Sequence, residues 1–226
     1  MVVKGRINMP SKTFLNLSEE KRNKIIEAAL NEFSLNDYNS ASINNIVKVA
    51  DISKGSMYQY FDNKKSLYLY LLELASEKKL NYISENIDIK SDKIFNLIKK
   101  MHLVGAKFDL TNPKYSMLII NAINETTNDE LDNISSKLKE KSDQFFNKYI
   151  QEGQRNNLIR NDLDDELLSF LISRFSMVLI EYVSKKYNFT YLDLIKKGEN
   201  KLPLPEKELE KILKQFITVF KDGFKV

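Results

Sequence analysis

The chain has 226 residues, 42% of them hydrophobic and 29% charged, with a net charge of +4: enough to bury a full core in one large or two small domains, and too mild a positive bias to predict a nucleic-acid partner by itself. The absence of cysteine excludes disulfides, thiol redox sensing and cysteine-based zinc sites, and a single histidine, His102, argues against an all-protein transition-metal centre. The glycines, at 5, 55, 105, 153, 198 and 223, are too scattered for a phosphate-cradling loop, no HExxH or GxSxG motif occurs, and no cofactor or metal is expected.

The first residues, with Lys4, Arg6 and Lys12, read as a flexible basic arm that lacks the apolar core of a signal peptide. Ser18 caps a first helix with Glu19 and Glu20 in its opening turn, where the dipole favours acids, and Ile25, Ile26, Ala29, Leu30 and Phe33 make its apolar stripe. Ser42 caps a second helix, on which Ile43, Ile46, Val47 and Ala50 share one side. Asp51 and Ile52 then make a turn, Asp tolerating the left-handed conformation better than most residues, and Ser53 caps a third helix. Along Lys54 to Tyr60 only Met57 is marked for the interior, so the remaining side chains are expected to face outward. Two short helices joined by a tight turn, the second rich in exposed donors and acceptors, have the layout of a helix-turn-helix, whose second helix enters the major groove. Lys64 and Lys65 follow Asp62-Asn63, a cap for a fourth helix, and so sit where the macrodipole disfavours cations by about 0.3 to 1 kcal/mol each. A DNA phosphate, bound by a lysine and the free amides of the helix terminus, would offset that.

Ser42, Ile46, Ala50, Ile52, Ser53, Gly55, Tyr58, Tyr60, Phe61, Lys64 and Leu67 stand at the offsets by which this stretch resembles the TetR family of transcriptional regulators. Val47 and Asp51 depart from the pattern, which usually has Ala and Gly there. The resemblance covers the first third of the chain. It implies an all-α protein with an N-terminal three-helix helix-turn-helix domain over residues 1–62 and a helical ligand-binding and dimerisation domain over residues 63–226. The candidate DNA-binding residues are Ser42, Asn44, Asn45, Lys54, Gly55, Ser56, Tyr58, Gln59, Tyr60 and Lys64. Lys64 and Tyr60 are assigned to phosphates, and Asn44, Lys54 and Gln59 to base edges.

The fourth helix runs from near Lys64 to about Glu85 and links the domains. Helical spacing continues through Ile94, Leu97, Ile98 and Met101, breaks at Asn112-Pro113, and resumes with Met117, Leu118, Ile119 and Ile123. A polar helix is expected from about Asp129 to Asn156. Leu167 to Tyr187 is apolar almost all round, yet Arg174 and Glu181 interrupt it and make it a buried or interfacial helix of a soluble protein rather than a membrane span. Glu206 to Phe224 carries Leu209, Ile212, Leu213, Phe216, Ile217 and Phe220 on one stripe. The connection 188–205 is expected to be an exposed loop or short helix outside the core.

A helix apolar on every face needs cover on both sides, so the last two helices are expected to pair with their copies in a homodimer, with Phe216, Ile217 and Phe220 buried against Leu171 and Val178. A twofold dimer also spaces two recognition helices about 34 to 36 Å apart, one turn of DNA. The middle helices are expected to enclose a pocket for a small-molecule effector, walled by Met101, His102, Tyr115, Asn121, Glu125, Phe145, Tyr149, Phe170, Arg174 and Met177. Arg174 needs a carboxylate partner, Glu181 or Glu125, or an anionic ligand. The expectation is a cytoplasmic repressor, not an enzyme, that binds double-stranded operator DNA and is released by its effector, the direction of control being implied by the resemblance. A helical adaptor for protein partners or an enzyme with a carboxylate pair are the rivals; an adaptor leaves Lys54, Ser56, Tyr58, Gln59, Tyr60 and Lys64 unexplained.

Overall fold

A computed structural model describes residues 10–87, 94–125, 131, 134–198 and 200–224, and among these there is no strand. The helices are α1 (Lys12–Leu15), α2 (Glu19–Leu35), α3 (Ile43–Ala50), α4 (Lys54–Tyr60), α5 (Lys64–Glu85), α6 (Ile94–Thr111), α7 (Pro113–Asn124), α8 (Ile134–Arg155), α9 (Asp165–Tyr187), α10 (Tyr191–Lys197) and α11 (Glu206–Phe224). They make two compact units. One holds the residues up to Lys78 together with Lys114–Ser135, the other Lys79–Pro113 together with Ser136 onward, so α5 contributes to both.

In the first unit the hydroxyls of Ser18, Ser42 and Ser53 each accept a backbone N–H three residues on, starting α2, α3 and α4 where the sequence places them. Asn63 starts α5 by accepting from the Ser66 amide at 2.9 Å, while Ser66 Oγ accepts from the Asn63 amide at 3.1 Å. The stripe of α2 is buried as expected, and Phe33 meets Tyr38 and Tyr68. The segment before Ser18 differs from expectation. Lys4 and Arg6 lie outside the described residues, but Lys12 opens a four-residue helix capped by Ser11, and Phe14, fully buried, sits against Tyr60, Phe61 and Tyr70 with ring centroids 5.8, 4.8 and 5.6 Å away. An aromatic seat, not local helix propensity, holds this turn in place. The amide of Ser11 donates to the Tyr60 carbonyl at 2.9 Å and ties the same corner.

The second unit has its core between α6, α8, α9 and α11, including Leu97, Ile98, Met101, Phe146, Ile150, Ile172, Phe175, Leu179, Leu209 and Leu213. Asp129, where the polar helix was expected to begin, lies outside the described residues, and α8 is described from Ile134. The connection 188–205 holds the short helix expected as one of its two forms and is mostly exposed: Thr190 and Asp193 form a reciprocal capping box that starts α10, but Phe189, Leu194 and Leu204 reach into the core, which corrects its expected place outside it. By length and composition α9 passes for a membrane span, but Leu168, Ile172, Phe175, Leu179 and Val183 are buried in the unit's own core. Phe216 and Phe220 pack within the chain, 5.0 and 5.2 Å from Phe175, while staying half-buried, and Ile217 is buried. Among the apolar residues left exposed, Leu167, Phe170, Leu171, Met177, Val178 and Tyr182 lie on α9 and Val219 on α11.

Candidate nucleic-acid interface and effector cavity

The helix pair α3–α4 is set by a few local bonds. Glu32 of α2 accepts the Ser42 amide at 2.8 Å and the Asn45 side-chain amide at 3.4 Å, which fixes the start of α3. Asp51 ends α3 in the left-handed region at φ 56° and ψ 49°, its amide bonding to the Lys48 carbonyl, and Ile52 N–H returns to Val47 O at 3.0 Å. Ser53 then caps α4 by accepting the Ser56 amide at 2.9 Å, and the two hydroxyls lie 2.8 Å apart. The side chains of Ser42, Ser53 and Ser56 are therefore occupied with their own helix ends.

What faces water is mostly polar: Asn44, Asn45 and Lys48 on α3, and Lys54, Gly55, Gln59 and Tyr58, 47% exposed, on α4. Tyr60 turns the other way. It is 5% exposed, with its ring against Phe14, so the expectation that it faces outward is corrected: a seven-residue helix anchors through two positions three apart, here Met57 and Tyr60. Lys64 is half-buried, donates to the Asn39 carbonyl at 3.1 Å and lies 4.7 Å over the Tyr38 ring. Asp37 is close enough that Lys64 helps hold its carboxyl below the usual range, after the larger effect of the Ser40 bonds. The chain thus supplies part of the anionic environment that the first turn of α5 was expected to need from outside. Sequence reading passed over Glu32, which positions α3 from ten residues upstream with no local signal, and Lys48, which the i, i+4 spacing from Asn44 would have indicated.

Gly55 is exposed at the second position of α4, and an added Cβ there would meet only Ser53 Oγ, at 3.7 Å, an ordinary contact. Nothing among the described residues requires glycine at this point, although glycine in a helix costs about 0.5 to 1 kcal/mol relative to alanine.

The expected effector residues divide between the units. Tyr115, Asn121 and Glu125 belong to the first, where Asn121 donates to the Phe33 carbonyl at 3.2 Å and burial with the nearby Glu27 pushes the Tyr115 hydroxyl up to about 12. Met101, His102, Phe145, Tyr149, Phe170, Arg174 and Met177 belong to the second. Phe170 and Met177 are exposed on α9, and Met101 and Tyr149 are buried in the core. Arg174 reaches neither Glu181 nor Glu125: it binds Asp143 through both ends of its guanidinium, at 3.0 and 3.1 Å, with Ser173 on the same carboxylate, and stacks on Phe170 at 4.8 Å. A carboxylate on the neighbouring helix α8, 31 residues away in sequence, meets its need for a counter-charge.

His102 of that set lines a small cavity. It is a gap of about 10 Å³ in the second unit, walled by Phe95, Ile98, His102, Ile172, Phe175, Ile217 and Phe220. His102 is 2% exposed, lies parallel to Phe146 at 5.2 Å and edge-on to Phe175 at 4.7 Å, and bonds Ser176 Oγ through Nδ1 at 2.8 Å. Burial, aided by the Lys79 charge, lowers its pKa to about 3, so the ring is neutral at physiological pH. Lys79 itself pairs with Asp109 at 2.7 Å and joins the end of α5 to α6.

Residues 25–71 match the family model described as bacterial regulatory proteins, tetR family. The chain is 31% identical over 127 residues to the uncharacterized HTH-type transcriptional regulator YuxN of Bacillus subtilis, covering 56% of this chain and 43% of that protein. It is 30% identical over 130 residues to the HTH-type transcriptional regulator QacR of Staphylococcus aureus, covering 57% of this chain and 64% of that one. It therefore spans less than two thirds of the length of either relative. Among solved structures, a TetR family transcriptional regulator from Chloroflexus aurantiacus superposes with a TM-score of 0.77 at 28% identity, over 96% of this chain and 99% of that one.

Proposed function

We propose that this chain, which belongs to the TetR family of bacterial regulatory proteins, is a cytoplasmic repressor that binds double-stranded operator DNA as a homodimer and is released by a small-molecule effector. The observation that carries the reading is α4: a helix anchored by Met57 and Tyr60 that turns Lys54, Gly55, Tyr58 and Gln59 to water on a rigid turn. Asn44 and Asn45 of α3 add polar groups beside it. We assign base contacts to Asn44, Lys54 and Gln59, and phosphate contacts to Lys64 and to the N-terminal ends of α3 and α4, capped by Ser42 and Ser53. Residues 1–62 are the reading module and residues 63–226 the effector and dimer module. The exposed apolar residues of α9 and α11 are the proposed dimer contact, which supplies the twofold that a short recognition helix needs. Coupling runs through α5, whose end is held to α6 by the Lys79–Asp109 pair: an effector that favours one arrangement of that helix shifts the dimer away from the spacing DNA requires. The chain's role is binding rather than catalysis, in keeping with relatives that are all transcriptional regulators.

The test is retention of genomic DNA by the purified protein, followed by sequencing of the retained fragments and a salt titration on the enriched duplex. A common sequence element and an affinity that falls linearly with the logarithm of salt concentration are expected. No enrichment over random fragments refutes the reading.

A further inference from the structure

Glu32 joins α2 to the start of α3 through one oxygen: its Oε1 accepts the Ser42 backbone amide at 2.8 Å and the Asn45 side-chain amide at 3.4 Å. The first bond is short and its donor belongs to the backbone, so it fixes where the carboxylate lies, and the longer second bond follows from that placement. A carboxylate only accepts, so Asn45 turns its NH2 group toward Glu32 and its carbonyl oxygen, Oδ1, away; the flipped amide would set two acceptors against each other. Asn45 is exposed, and among the described residues no donor reaches its Oδ1. Because α3 buries Ile43, Ile46, Val47 and Ala50, Asn45 shares the open side of the helix with Asn44 and Lys48. No such restraint acts on Asn44 among the described residues, so its amide can present either end.

In the major groove every base pair shows one amino group, on adenine or cytosine, across from one keto oxygen, on thymine or guanine. An unrestrained asparagine serves either, accepting from the amino group or donating to the keto oxygen. An asparagine held by its NH2 group offers the groove an acceptor, which suits the amino group and repels the keto oxygen. We infer that Asn45 reads a base edge and selects adenine or cytosine over guanine or thymine on the strand it faces, and that Glu32 is the positioning residue that imposes this choice. The inference rests on reading α3 and α4 as the DNA-binding pair and gives Asn45 a defined part in it. Since A·T and G·C pairs each carry one amino and one keto group, what this contact fixes is the strand on which the amino group stands, and hence the direction in which a half-site is read.

The experiment uses the full chain as wild type, Asn45→Ala, Glu32→Ala and Glu32→Gln, each selecting duplexes from a random library, with affinities for the enriched duplex then measured by fluorescence anisotropy. Asn45→Ala is expected to lose preference at one base pair of the half-site, where wild type takes adenine or cytosine. When that base is replaced by one without the exocyclic amino group, purine for adenine or pyrimidinone for cytosine, wild type is expected to bind about tenfold more weakly and Asn45→Ala to change by less than about twofold. Glu32→Ala is expected to lower the preference at that base pair and at no other. Glu32→Gln is expected to keep it, since its amide oxygen must still face the Ser42 N–H and so still receives Asn45. A wild-type preference for guanine or thymine there, no base pair altered by Asn45→Ala, indifference of wild type to the missing amino group, a Glu32→Ala loss spread evenly over all base pairs, or loss of the preference in Glu32→Gln overturns the inference. If Glu32→Ala does not fold, Glu32→Gln and the duplexes lacking the amino group decide. Failure of the regulator reading shows separately, as a wild type that enriches no sequence at all.

Discussion

Gly55→Ala separates what the fold needs from what a bound duplex needs. The residue lies in α4 just after its Ser53 cap, is exposed, and has an ordinary negative φ, so alanine enters without strain and its Cβ meets only Ser53 Oγ at 3.7 Å. The unfolded chain loses freedom and the helix gains propensity, so the variant is expected to be more stable by about 0.5 to 1 kcal/mol. If α4 lies in the major groove, the added methyl stands where backbone and DNA approach most closely. Affinity for the enriched duplex is then expected to fall about tenfold, on the scale of one lost close contact. Urea unfolding followed by circular dichroism reads the first effect, and fluorescence anisotropy of a labelled duplex reads the second. Opposite signs in the two assays are the signature. A variant that is more stable and binds DNA as wild type does would refute the reasoning, since glycine would then serve neither the fold nor the duplex.

The buried neutral His102 sets a pH dependence: below about pH 6.5 the unfolded chain takes up a proton that the folded chain refuses until about pH 3, so stability falls as pH drops through that window. Between pH 7.5 and 5 wild type should lose about 2 kcal/mol more than His102→Leu, and equal losses in urea titrations would contradict the assignment. Arg174→Met strands Asp143 with only Ser173 and should lower stability by about 1 to 3 kcal/mol while leaving DNA binding intact in the folded fraction; an undiminished melting temperature would place the pair among inert surface contacts. Lys64→Ala should weaken all duplexes alike and reduce the salt slope by about one, whereas Gln59→Ala should relax preference at one base pair by about 1 to 3 kcal/mol. Leu171→Lys with Val178→Lys, both exposed and so harmless to the single chain, should convert the dimer to a folded monomer in sedimentation; a persistent dimer would move the interface elsewhere.

The helix starts at Ser18, Ser42, Ser53 and Asn63 were legible in the sequence because a cap is a local event, a short polar side chain closing on an amide three residues away. The left-handed Asp51 was legible for the same reason. Partners chosen by tertiary contact were not. Nothing near Lys12 announces a helix, since α1 depends on the seat that Tyr60, Phe61 and Tyr70 make for Phe14. Asp143 could not be picked for Arg174 from 31 residues away, when Glu181 lay closer along the chain. Two misses had signals that were available: Met57 and Tyr60 stand at i, i+3, and Thr190 with Asp193 is a capping-box spacing. Of the candidate site, the exposed polar face of α4 was readable from pattern, whereas the inward turn of Tyr60 and the internal engagements of Lys64 depended on neighbours the pattern does not show.

The apolar strip that α9 leaves open, from Leu167 through Phe170, Leu171 and Val178 to Tyr182, also bears on gene dosage. A chain that reads DNA only when joined to its copy is active in proportion to the square of its own concentration while dimers are scarce, and in direct proportion once they predominate. Halving synthesis would then more than halve operator occupancy at low expression and change it little at high expression. The strength of that strip, more than the affinity of α4 for any base, would set the expression level at which control switches on.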